Sequence, residues 1–167
     1  VLAGLRSRLE RVFAVESIPL TEDFLPRHCE RSEAISRMIN EAVLGVLGLE
    51  PKSLLILRQR QDISIEAMMP ANCSQAYKKF AVSILKHLIL DKMLGFAESK
   101  GDIAYTSDVD EAWQQIEEGR YQLAFLLNPP KVEMIKAIVD AKDRMPRKST
   151  YFYPKIPAGL IINSLEG

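Results

Sequence analysis

Two cysteines, two histidines and one tryptophan are all that 167 residues contain of three side chains often tied to redox chemistry, metals and stacking. Cys29 and Cys73 can close one disulfide at most, which excludes a disulfide-built scaffold. With His28 and His87 they lack the close paired spacings of zinc centres, so no zinc site is expected. Charge of one sign is missing too, with 22 basic side chains against 22 acidic. Such a balance leaves no overall electrostatic footprint for DNA or an anionic membrane, although a local patch stays open. No apolar run approaches the roughly 20 residues that span a bilayer, so a cytoplasmic rather than membrane-integral protein is expected. Internal repeats and low-complexity segments are absent as well. What is present, 47% hydrophobic and 26% charged residues, suits one globular domain spanning 1–167.

The chain opens on Val1, already within a helical pattern and without a leader, which predicts the C-terminal part of a longer protein. Leu2, Leu5, Leu9 and Phe13 recur at helical spacing and predict a helix over 2–13. "FAVESIPL" alternates like a strand. Residues 21–33 read as an exposed loop or insertion, and "RHCERSEAIS" within them resembles the translation of a bacterial interspersed DNA repeat. His28 and Cys29 are then bystanders. Helical period returns over 32–47, and "SLLILRQ" with "DISIEAM" predicts a β-hairpin. "AYKKFAVSILKHLILDKML" reads as the longest helix, ended by Gly95 in a left-handed cap, with His87 as a boundary residue on it.

The last third is the most patterned. "DIAYT" predicts a strand, and "SDVDEAWQQIEEG" a helix opened by an Asp108–Glu111 capping box and stopped at Gly119. Trp113 lies on its apolar stripe and is expected in the core. "YQLAFLLN" reads as a strand covered on both faces. "PPKVEMIKAIVDAKDR" predicts a helix with Pro130 near its first turn and Val132, Ile135 and Val139 on one side. The order points to an α+β fold, alternating in its C-terminal half, with helices on a mixed sheet. Strands near 103–106 and 122–127 are expected to be parallel neighbours joined by the Trp113 helix.

Residues 144–163, "RMPRKSTYFYPKIPAGLIIN", collect cations, hydroxyls, prolines and three adjacent aromatics. Pro146, Pro154 and Pro157 restrict the backbone and lower the entropy cost of holding one shape. Lys148, Lys155 and Arg144 supply positive charge, while Ser149 and Thr150 add hydroxyls that suit a phosphate. Tyr151 and Tyr153 would share one face of an extended segment and wall the site. No glycine-rich turn precedes the Lys-Ser-Thr run, so it is not a P-loop. The plainer alternative places the lysines in solvent, the hydroxyls in turns and the aromatics in the core.

"RMPRKSTYFYPKIPAGLI" closely resembles the C-terminal signature of a bacterial and archaeal family known as domain of unknown function number ten-fifteen. The likeness covers about 1–19 and 76–165. Arg147 stands where the family usually has a second proline, and Ala81 where many relatives place an aspartate. Members of the family are about twice as long, with an upstream Asp-Gly-His-His-Arg motif similar to ParB partition proteins and free-serine kinases. No such motif occurs here. The resemblance therefore implies a parent that transfers phosphate from a nucleotide or pyrophosphate, with Mg2+, to a small hydroxylated molecule. This chain would contribute the anion-contacting loop, completed by the upstream half. Two other readings stay open: a structural or dimerisation domain, and a nucleotide- or nucleic-acid-binding module. DNA is disfavoured by the neutral charge.

Overall fold

Four consecutive residues, Leu54, Leu55, Ile56 and Leu57, are wholly buried, which requires cover on both faces of the strand that carries them. That strand is β3 (Ser53–Gln59), in a computed structural model that describes residues 2–20, 39, 43–96 and 103–149. It pairs antiparallel with β1 (Phe13–Pro19) on one side and with β2 (Leu44–Leu47) on the other. A short strand β4 (Ala124–Leu126) adds to the far side of β2, again antiparallel, giving the order β1-β3-β2-β4.

Strand alternation sorts the apolar side chains by face. Leu55 and Leu57, with Leu44 and Val46 of β2, join the larger core. Helix α1 (Leu5–Glu10) covers this face through Leu5 and Leu9. A second helix, α3 (Ala81–Ile84 continuing as Leu85–Met93), adds Ile84, Leu88, Ile89 and Met93 to the same core. Leu54 and Ile56 turn to the opposite face with Leu47 and Leu126. There α4 (Val109–Glu117) packs Val109, Trp113 and Ile116 against them.

The β2–β3 connection bends through Gly48 at φ 86°, where a β-carbon would stand 2.3 Å from the Gln122 carbonyl oxygen. Only glycine lets the chain before β4 approach this closely. Helix α4 is capped by the Asp108 carboxylate, which accepts from the amides of Asp110 and Glu111. It ends with Gly119 and Arg120 donating back to Ile116 and Gln115, a left-handed Schellman close.

Three shorter pieces complete the described fold. A 3-10 turn spans Glu66–Met68, and α2 (Gln75–Lys79) follows, capped by the Ser74 hydroxyl. Phe80 is extended at ψ 123° and separates α2 from α3, which begins at Ala81–Ile84 and continues through Leu85–Met93 in wider π turns. Helix α5 (Val132–Asp140) packs Met134 and Ile138 against Tyr77 and Phe80, a small cluster apart from the sheet.

The α+β class is what the chain adopts, and β1, β3, α4 and the left-handed Gly95 lie where the pattern puts them. Several expectations are corrected. Residues 103–106 form no strand, and β4 pairs with β2 antiparallel, so the parallel neighbours do not exist. Phe13 begins β1 rather than ending a helix, and 44–47 is a strand rather than helix. The hairpin joins β2 to β3; "DISIEAM" instead turns back, burying Ile65 under the core. The long helix is broken at Phe80, where an extended residue lets Tyr77 and Phe80 both pack on Ile138. On α5 the Val132–Val139 side is exposed and the Met134–Ile138 side is the packed one. Residues 21–33 lie outside the described residues.

Candidate functional site

Helix α5 ends in a second Schellman close, with Lys142 donating to Val139 and Asp143 to Ile138. The left-handed position usually taken by glycine is here Lys142, at φ 59°. This close turns the chain so that the Asp143 carboxylate receives the Ser74 amide at 2.7 Å, just before α2. Ser74, through its hydroxyl and then its amide, holds the Asp143 carboxyl below the ordinary aspartate value. Met145 then packs beside Tyr77, Cys73 and Ile138. The basic turn is thereby fastened at two points to α2.

Beyond Met145, Lys148 is again left-handed at φ 59°. The Ser149 hydroxyl donates to the Pro146 carbonyl and closes the turn on itself. Lys142, Arg144, Arg147 and Lys148 are all exposed. Among the described residues none of the four has an acidic partner within ion-pairing distance. Four like charges over seven positions therefore face solvent together.

Of the residues expected to form the anion site, the structure brings Arg144 and Lys148 into one exposed turn and gives Ser149 a role within it. Thr150, Tyr151, Tyr153 and Lys155 lie outside the described residues.

A second group of side chains converges on the other side of α2. The Tyr77 hydroxyl is 3.0 Å from His87 Nε2, and His87 Nδ1 is 3.4 Å from the Asp91 carboxylate. Burial holds the His87 imidazole below its usual value, against the pull of Asp91. Burial likewise pushes the Tyr77 phenol up, with Cys73, Asp143 and Asp91 adding to the rise. Both groups are accordingly neutral near pH 7. His87 does sit at a boundary, with 22% of its side chain exposed, and has Tyr77 at one ring nitrogen and Asp91 near the other.

Its spacing to Asp91, one helical turn, was the only signal of this in the sequence. Tyr77 belongs to a different helix once Phe80 breaks the run, so periodicity could not pair it with His87. Ser83 adds to the same neighbourhood: its hydroxyl is fully buried and has no hydrogen-bond partner among the described residues.

No three acidic, histidine or cysteine side chains among the described residues gather as a metal site. No helix among the described residues is long and apolar enough to cross a membrane. Comparison with protein families, curated proteins and solved structures returns no match to this chain.

Proposed function

We propose that this chain carries the anion-contacting turn of a cytoplasmic small-molecule phosphotransferase, a turn that holds a phosphate by its own cations. One observation carries the reading: four exposed cations, without acidic partners among the described residues, on a turn fastened to α2 by Asp143 and Met145. Cations on a fixed turn need little reorganisation to meet phosphate oxygens, and phosphoryl transfer depends mainly on such positioning and charge neutralisation. Arg144 and Arg147 offer forked donors, and Lys148 a point charge at the apex.

The reading is tested by titrating pyrophosphate into the full chain at fixed salt, wild type against Lys148→Ala. Loss of a hydrogen bond to a charged group should weaken binding by about 1.5–3 kcal/mol. Equal affinities would overturn it.

A structural role is the second reading, favoured by Ser149, whose hydroxyl serves the turn itself. In that case Ser149→Ala lowers the melting temperature, while Lys148→Ala changes neither stability nor binding.

A further inference from the structure

Three ionisable side chains in line, one buried, one half-buried and one exposed, are the arrangement by which a protein moves a proton between its interior and solvent. Tyr77, His87 and Asp91 have that order: Tyr77 is 7% exposed, and the side chains of His87 and Asp91 are 22% and 40% exposed. The Asp91 carboxylate stands 3.4 Å from Nδ1 and favours the tautomer with its proton there, in which the Nε2 lone pair can receive the Tyr77 hydroxyl proton. The wide π turns of α3 carry both His87 and Asp91, and such turns are found frequently at functional sites.

We propose that this line is the proton-accepting arm of the anion site, with Tyr77 meeting the hydroxyl of the acceptor molecule and His87 taking the proton. The inference rests on the phosphotransferase reading above and extends it to the general base. Two observations join the arm to the basic turn. Asp143 holds the Ser74 amide three residues before Tyr77, and Met145 packs against the cluster that Tyr77 forms with Phe80 and Ile138. The buried Ser83 hydroxyl lies in the same neighbourhood as the Tyr77 phenol.

The step balances as follows. The acceptor O–H proton passes to the Tyr77 oxygen as the Tyr77 proton passes to His87 Nε2, and Asp91 stabilises the imidazolium. The acceptor oxygen bonds to the terminal phosphorus of a polyphosphate donor. The bond from that phosphorus to the bridging oxygen breaks, and its electron pair leaves with the departing phosphate, whose charge the basic turn holds. His87 then returns the proton to solvent. Tyr77 touches the acceptor; Asp91 is a positioning residue.

The test uses the full chain and pyrophosphate. His87 is followed by NMR of its imidazole, with His28→Gln removing the other histidine signal. The charged and titratable groups around it are Asp91, Lys86 and Lys92 on α3, and Tyr77, Cys73, Lys78 and Asp143 at α2. A bound anion nearby favours the imidazolium, so saturating pyrophosphate should raise the His87 midpoint by about half a unit or more. Calorimetry in buffers of different ionisation enthalpy should then show proton uptake on binding near pH 6.5, the ordinary histidine value. Asp91→Asn should change the ring 15N shifts to those of a mixed tautomer, an effect that loss of packing alone would not produce. Binding with an unmoved His87 midpoint would overturn this proposal and leave the anion turn standing. Absence of pyrophosphate binding would overturn both.

Discussion

The sheet and the α2–α5 layer are held together very differently. Both faces of β3 are sealed, and its four central residues are all at 0% exposure. On α5 a single residue, Ile138, is buried, while Val132 and Val139 are 70% and 60% exposed. The sheet thus carries most of the burial that stabilises the chain. The outer layer has a small cluster, but it holds the four cations and Tyr77, whose partners His87 and Asp91 lie on α3. Most of the burial and the basic turn thus belong to different parts of the molecule. Regions with few buried contacts are also those that can adjust around a ligand at low cost.

Removing the sheet core should have the largest effect. Leu55→Ala deletes a wholly buried side chain from the larger core, and should cost about 2–5 kcal/mol in urea unfolding. Ser74→Ala comes next, since the hydroxyl caps α2 and also acts on Asp143. About 1 kcal/mol is expected for the lost cap, together with a rise in the Asp143 titration midpoint measured by NMR.

A smaller effect should follow pH. The folded His87 titrates below its ordinary 6.5, so the unfolded chain binds more protons in the window just under that value. Stability is therefore full above about pH 6.5 and declines as pH falls through it toward the folded midpoint. Urea midpoints at pH 7.5 and 5.5 should differ in wild type, and His87→Gln should narrow the difference. Asp143 is lowered as well, but its loss belongs to a separate window around and below 3.8.

The division also explains what the sequence made legible. β1 and β3, α4 and its Asp108 cap follow from local pattern, because each residue's neighbours in the chain decide its role. The capping box itself is only half realised. Asp108 caps, but the Glu111 carboxylate receives the Thr106 hydroxyl, and the Asp108 amide donates to Thr106. β2 was illegible since "LGVL" continues an apolar run, and its strand character depends on β3 and β4, the latter far along the chain. Residues 103–106 alternate like a strand but form none, and Tyr105 is left exposed. The packed side of α5 was misjudged because two of the three residues in its apolar pattern, Val132 and Val139, face outward. As for the site, Arg144 and Lys148 could be read directly, whereas Lys142 and Arg147 join them only through the turn after α5. The proton line could not, since it joins α2 to α3 across the break at Phe80.

The central claim is that one region folds the chain and the other binds the anion. The most direct test crosses the two regions, measuring the melting temperature and pyrophosphate affinity of Leu55→Ala and Lys148→Ala, both well below their melting transitions. The account predicts a lowered melting temperature with unchanged affinity for Leu55→Ala, and the reverse for Lys148→Ala. A Lys148→Ala protein that melts early but binds pyrophosphate as the wild type does would contradict it.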